Sequence, residues 1–301
     1  MKNGLAKVLV IVGPTSSGKS ALAVELAKKF NGEVISADSR QVYRGLDIGT
    51  GKITTHEMHG VRHHILDIVP PTRLFTAHDF IVHGQKAIGN IAARGKLPIV
   101  AGGTGFYIDA LLGRVTLPDV PANPKLRAKL EQKTAKQLFA LLKKRDARRA
   151  RSIDSHNKRR LIRALEIAHA LGRVPNISGL RNHYFDTLWI GIAPPMKVLE
   201  KKIAIRLSAR MRQGMVAEAK RLHRKGLSFK RMLQLGLEYR ALTHLLHDKI
   251  TREQMVEGLS RDIRRYAKSQ ITYWKRNKEI RWFDPEQTPR IAKLIRNWIR
   301  R

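Results

Sequence analysis

An unbroken apolar run at residues 8–12, Val-Leu-Val-Ile-Val, leads straight into Gly13-Pro14-Thr15-Ser16-Ser17-Gly18-Lys19-Ser20. Apolar residues then recur at Ala21, Leu22, Val24, Leu26 and Ala27, the spacing of one helix face. Strand, glycine-bounded loop and helix in that order make a phosphate-binding loop. The glycines let backbone N–H groups from Thr15 to Ser20 converge on phosphate oxygens. Lys19 supplies countercharge, the Ser20 hydroxyl is a ligand for Mg²⁺, and the helix N-terminus adds its dipole. A strand this apolar is buried on both faces, which calls for a parallel sheet with helices on either side. By itself the loop fits ATP, as in a kinase, or a diphosphate, as in another transferase.

The alternation continues. Residues 33–37, 63–69 and 97–101 read as strands. Thr76 is placed to cap a helix over residues 77–93, with Asp79 completing a variant capping box. Gly102-Gly103-Thr104-Gly105 turns into a helix ending at Leu112. Pro118, Pro121 and Pro124 then punctuate a linker, and residues 125–172 read as helical, basic and poor in strand formers. Residues 188–193 return to a strand. Beyond them the pattern is helical over 197–213, 215–224, 237–247, 252–276 and 289–300. The expected fold is α/β: a P-loop NTPase-like parallel sheet flanked by helices, with an inserted helical subdomain and a helical C-terminal region. The expected divisions are 1–113, 114–185 and 186–301.

Charge points to the partner. The chain carries 59 Lys and Arg against 24 Asp and Glu, a formal +35. A generic solvated surface is one reading, and a polyanionic partner is the sharper one. Residues 143–163 hold ten basic and two acidic residues; residues 261–281 hold eight and two, interleaved with Tyr266, Tyr273 and Trp274. Basic residues among aromatics suit phosphate neutralisation with base stacking. Neither segment offers the continuous apolar face of a membrane-surface helix. No stretch approaches the roughly 18 apolar residues of a membrane span. Cysteine is absent, so there is neither a disulfide framework nor a thiolate zinc site, and the cytoplasm is the expected compartment.

Asp38, in Ala37-Asp38-Ser39-Arg40-Gln41-Val42-Tyr43, ends the second apolar run beside the phosphate loop. A carboxylate there can accept a proton, although a cap or an ion pair would also explain it. Five motifs stand out: residues 13–20, Asp-Ser-Arg-Gln-Val-Tyr-Arg-Gly-Leu-Asp-Ile-Gly-Thr at 38–50, Gly-Gly-Thr-Gly at 102–105, Arg-Arg-Leu-Ile-Arg-Ala-Leu-Glu at 159–166 and Gln-Ile-Thr-Tyr-Trp at 270–274. On these motifs the chain closely resembles the tRNA dimethylallyltransferases, and the resemblance is broad. It spans residues 8 to about 283, and the 38–50 block is its most specific part.

The resemblance implies transfer of a dimethylallyl group from dimethylallyl diphosphate to N6 of the adenosine 3′ to the anticodon. Asp38 would be general base, because an exocyclic adenine amine is a poor nucleophile until its proton is removed. Gly13, Pro14, Thr15, Ser16, Ser17, Gly18, Lys19 and Ser20 would hold the diphosphate, with Mg²⁺ at Ser20. Arg206 would reach the diphosphate from the other side, although a solvated helix arginine is an equal reading. Thr15 and Thr104 match hydroxyl contacts near the reacting centre; Thr104 also stands where a helix N-cap would. Implied contacts to the tRNA anticodon stem-loop fall on Asp38, Ser39, Arg40, Gln41, Thr104, Arg127, Arg159, Arg160, Leu161, Ile162 and Arg163. Further along they fall on Tyr239, Arg240, Lys268, Gln270, Thr272, Trp274 and Lys275, and Trp274 equally fits a core position. Two departures stand out: Ser269 where many members are basic, and Glu238 where many have Gly. A monomer is expected.

Two rival functions remain at this level. A metabolite kinase would leave the 38–50 block unexplained, and a non-catalytic RNA-binding protein would not need Lys19, Ser20 and Asp38 intact. His56, His59, His63 and His64 invite a metal reading, but pairing and surface roles fit their spacing better.

Overall fold

The structure, a computed structural model, describes residues 5–175 and 184–301. The chain divides into two compact units, Met1–Arg114 with Asn182–Arg301, and Val115–Arg181. The elements of the first unit begin with β1 (Lys7–Val12), α1 (Lys19–Lys29), β2 (Gly32–Ser36), α2 (Thr55–Met58), β3 (His63–His64), α3 (Ala77–Ala93), β4 (Leu97–Gly102) and α4 (Gly105–Leu111). The second unit holds α5 (Pro124–Glu131), α6 (Ala135–Arg145), α7 (Ala147–Ser152) and α8 (Lys158–Leu171). The first unit resumes with β5 (Asp186–Ile192), α9 (Met196–Arg212), α10 (Met215–Arg224), α11 (Phe229–Met232), α12 (Leu237–Leu246), α13 (Arg252–Trp274), β6 (Arg281–Phe283) and α14 (Thr288–Ile299).

The six strands form one sheet in the order β3-β2-β4-β1-β5-β6, with every pairing parallel. In β1 the side chains alternate between two cores. Val8, Val10 and Val12 join Val100, Trp189 and residues of α3, α4, α9, α10, α12 and α13, while Leu9 and Ile11 join α1 and Ile291 and Ile295 of α14. Residues 8–12 are all fully buried, and each such side chain contributes roughly 1.5–3 kcal/mol. Burial on both faces is why the run carries no polar alternation.

The second unit has its own core, including Leu130, Leu138, Leu142, Leu161 and Ala168. Its buried Glu166 accepts the Asn123 N–H at 3.1 Å and pairs with Arg127 at 2.5 Å. The end of the inserted subdomain expected at 185 runs through residues 176–183, which lie outside the described residues.

Two local expectations need correction. The third strand is His63–His64 alone rather than 63–69, because Ile65 and Asp67 take positive φ (63° and 55°) and break the extended backbone. Only Val69 returns, as an isolated bridge to Tyr43. The helical reading beyond residue 196 omitted β6, a three-residue parallel edge strand on β5. The Thr76 capping box is present: Thr76 Oγ1 accepts the Asp79 N–H at 3.2 Å, and Asp79 accepts the Thr76 N–H at 2.8 Å. Among the described residues no helix is long and apolar enough to cross a membrane.

Candidate active site

In a parallel sheet the loops after the strands' C-terminal ends converge on one edge, where ligands bind. Here the loops after β1, β2 and β4 meet faces of α9 and α13 around a cleft of about 300 Å³. Thr15, Lys19, Ser20, Asp38, Ser39, Arg40, Gln41, Gly103, Arg206, Arg240 and Gln270 line it. Thus the phosphate loop, the carboxylate beyond β2 and the arginine of α9 share one space.

The phosphate loop is shaped by its own backbone. Ser16 and Gly18 take positive φ (61° and 94°), which turns the chain into α1. The Leu22 N–H is the first to reach back into the turn, bonding Gly18 O at 3.2 Å. The N–H groups of Lys19, Ser20 and Ala21 therefore point forward with no intrahelical acceptor. Two loop amides are spoken for. Thr15 N–H donates to Gln270 Oε1 at 2.9 Å, and Ser17 N–H to Pro14 O at 3.3 Å. The cradle of free amides is correspondingly narrower than residues 15–20. Lys19 Nζ bonds Pro14 O at 3.1 Å. Desolvation in the cleft, reinforced by Arg206 and opposed by Asp38, lowers the Lys19 ammonium to about 8.

Asp38 Oδ1 accepts the Arg40 N–H at 2.8 Å and the Gln41 N–H at 3.4 Å. This tight turn aims the carboxylate into the cleft and leaves Oδ2 free of these bonds. Thr104 stands at the N-cap position of α4, but its side chain caps nothing there. Its Oγ1 instead accepts the Ser39 N–H at 3.1 Å and so ties the two loops together. Gly103 permits a close approach: a Cβ there would lie 2.3 Å from Gln270 Nε2 and would push that amide from its place. Gln270 Nε2 donates to Gly103 O at 2.9 Å, so one side chain on α13 joins the β1 and β4 loops.

Arg206 and Arg210 project from one face of α9. Arg206 Nη2 donates to Gly51 O at 2.7 Å, and its guanidinium is lowered by burial and by Arg210. Arg210 donates to Gly49 O at 2.9 Å and pairs with Glu238 at 3.3 Å. The departure at 238 thus has a local partner. At the departure Ser269 the hydroxyl donates to Tyr266 O at 2.7 Å, within its own helix.

Several residues expected at the RNA are core residues. Leu161 and Ile162 lie in the helical unit's core, Tyr239 is 1% exposed and Trp274 is 0% exposed. Their side chains offer nothing to an RNA surface; they hold the helices that carry exposed neighbours. Gln270 is 5% exposed and spends its amide on the two loops. Arg163 donates to Val120 O at 2.7 Å, and Arg127 pairs with Glu166, so both brace the helical unit. Arg159, Arg160, Lys268, Thr272 and Lys275 are exposed.

Tyr266, read from the sequence only as one of the aromatics among the basic residues of 261–281, is a residue of the cleft itself. It lines the cleft at 43% exposure, and desolvation with the nearby Asp38 carboxylate pushes its phenol up to about 12. Its spacing from Ile263 and Gln270 on α13, one turn to either side, was the available signal. Among the histidines, His64 Nε2 lies 2.7 Å from Glu33 Oε2, and His63 Nδ1 2.9 Å from Val61 O.

A parallel sheet of this order, with a glycine-bounded loop after its third-from-edge strand and a carboxylate across the cleft, puts the chain in the class of P-loop NTPase-like α/β proteins. The family comparisons specify which. The IPP transferase profile matches residues 41–277, and the isopentenyl transferase profile residues 6–73. The tRNA dimethylallyltransferase of Leuconostoc citreum is 41% identical, covering 89% of this chain and 90% of its own length. That of Thermomicrobium roseum is 40% identical, covering 93% and 87%. The crystal structure of the full-length tRNA isopentenylpyrophosphate transferase from Bacillus halodurans superposes with a TM-score of 0.74 at 36% identity, covering 98% of this chain and 97% of that one. A eukaryotic dimethylallyltransferase solved acting on tRNA gives 0.80 at 28% identity, covering 93% and 74%. The chain belongs to the tRNA dimethylallyltransferase family.

Proposed function

We propose that this chain transfers the dimethylallyl group of dimethylallyl diphosphate to N6 of the adenosine 3′ to the anticodon of tRNA. The observation that carries the reading is the convergence of Asp38, Lys19 and Arg206 on one cleft. A proton acceptor and two cations are what the two halves of the reaction need.

The adenine leaves the anticodon stack and enters the cleft, as base-modifying enzymes require. Its amine nitrogen attacks the allylic carbon, the C–O bond to the diphosphate breaks, and the leaving oxygen takes the bonding pair. Asp38 accepts the amine proton as the C–N bond forms. Lys19, Arg206 and the forward-pointing N–H groups at the start of α1 stabilise the charge that grows on the diphosphate. The hydroxyls of Thr15 and Thr104 flank the reacting centre. Arg40, Gln41 and Arg240 at the cleft, with Arg159, Arg160, Lys268 and Lys275 outside it, engage the anticodon stem-loop.

The donor set also fits Mg²⁺. Among the described residues no group of three or more His, Cys, Asp or Glu side chains is arranged as a metal cage. Mg²⁺ commonly uses one or two protein oxygens together with substrate phosphates and waters. Ser20 would supply the protein oxygen, and the ion would add countercharge to the departing diphosphate. We read the phosphate loop as a diphosphate site rather than an ATP site, and the enzyme as a cytoplasmic monomer. Incubating the protein with labelled dimethylallyl diphosphate and unmodified tRNA should place label in the RNA. ATP hydrolysis without RNA, and no label transfer, would replace this reading with a kinase.

A further inference from the structure

The second half of the 38–50 block, Asp47-Ile48-Gly49-Thr50, lies beyond the residues that bear the chemistry, yet it is part of the most distinctive segment of the sequence. Its hydrogen bonds explain it. Glu218, on α10, is 3% exposed. Its Oε2 accepts the N–H groups of Asp47 at 3.0 Å and Ile48 at 2.8 Å. Its Oε1 accepts the Gly49 N–H at 2.8 Å and the Tyr239 hydroxyl at 2.6 Å. Three consecutive backbone amides therefore wrap one carboxylate. A carboxylate accepts such bonds at about twice the strength of a neutral acceptor. Burial and the adjacent Glu218 charge keep the Tyr239 phenol protonated, so it serves as a donor.

The same loop then presents its carbonyls to α9: Gly49 O takes Arg210, and Gly51 O takes Arg206. A Cβ at Gly49 would lie 2.8 Å from the Tyr239 ring, so the loop is packed against the group that completes the nest. We infer that Glu218 is a positioning residue for the transfer reaction: by folding residues 47–51 around its carboxylate it fixes the Gly51 carbonyl that aims Arg206 into the cleft. This rests on the proposal that Arg206 binds the diphosphate. Glu218 itself touches no substrate.

The test is a double-mutant cycle. Glu218→Gln keeps size and one acceptor oxygen but turns an NH₂ toward donors. Its kcat/KM for the allylic donor should fall about 10- to 100-fold, the scale of a small misplacement of a charged group, with tRNA affinity within about twofold. In an Arg206→Ala background the same substitution should change donor kinetics by less than about twofold, because coupled residues are not additive. Tyr239→Phe removes one of the four donors without removing the carboxylate, and should show a smaller loss with the same dependence on Arg206. It serves if Glu218→Gln does not fold. Wild-type donor kinetics in Glu218→Gln, or losses that multiply across the cycle for either variant, would overturn the inference alone. An Arg206→Ala enzyme with unchanged donor kinetics would instead remove the proposal beneath it.

Discussion

Gln270 Oε1 accepts the backbone N–H of Thr15 at 2.9 Å, across 255 residues of sequence. The phosphate loop is thereby held from α13 rather than by its own turn alone. Because Gln270 Nε2 also bonds Gly103 O, the helix fixes the spacing between the loops after β1 and β4.

Gln270→Ala should therefore act on both stability and the diphosphate. It leaves the part-buried Thr15 N–H and the buried Gly103 C=O without their partner, and an unsatisfied buried group costs about 1–3 kcal/mol. The melting temperature should fall by several degrees, and the stabilisation given by added pyrophosphate should shrink. Thermal melts with and without pyrophosphate measure both. A variant that melts and responds like wild type would show the bridge to be idle.

Asp38→Asn separates the base from the turn. The amide oxygen can still accept the Arg40 and Gln41 N–H groups, so the loop keeps its shape. The side chain can no longer take a proton. Turnover should fall by about 10²–10⁴, the usual contribution of a positioned base, while tRNA binding stays near wild type. Asp38→Ala should lose as much turnover and some loop order besides. If Asp38→Asn turns over within a few-fold of wild type, the proton goes elsewhere.

Much of this site is legible in the sequence because its parts are local. The loop at 13–20 has a spacing dictated by phosphate geometry, and Asp38 follows a short segment, residues 33–37, whose length and Val-Ile pair read as a strand. What escapes is set by distance. Glu218 sits among charged residues of an ordinary amphipathic helix, and the amides it collects lie some 170 residues away. Leu161, Ile162, Tyr239 and Trp274 fall among the RNA contacts that the resemblance implies, yet their burial follows from which helix face meets a core. β6 is invisible for a different reason: Arg281-Trp282-Phe283 is too short for a period, and its pairing with β5 is decided by the sheet.

Lys19 should give donor binding a pH dependence. Its pKa is lowered to about 8, chiefly by desolvation, so the empty cleft holds an ammonium below that pH and a neutral amine above it. Diphosphate favours the ammonium. Binding is thus strongest below pH 8 and weakens as pH rises, with one proton taken up on binding above that pH. Titrating pyrophosphate across neutral to alkaline pH in wild type and Lys19→Arg isolates the effect, since a guanidinium does not titrate there and the ligand's own ionisation is common to both. Parallel profiles for the two proteins would remove Lys19 as the titrating group.

The basic surface predicts how tRNA binding responds to salt. Arg159 and Arg160 are exposed at the start of α8, whereas Arg163 spends its guanidinium on Val120 O and lies 3.7 Å from Glu166. The three should therefore part company on mutation. Arg159→Ala with Arg160→Ala should weaken every tRNA about equally, because phosphate-directed side chains read no base identity. It should also flatten the dependence of log K on log salt by up to about 0.9 for each phosphate that is no longer neutralised, less for single-stranded sites. Arg163→Ala should instead lower the stability of the Val115–Arg181 unit, where its two internal partners lie. Affinities measured from low to high salt, with thermal melts alongside, distinguish the outcomes. A double mutant that binds tRNA with the wild-type slope would move the RNA surface away from α8, toward Lys268 on α13 and Lys275 at its end.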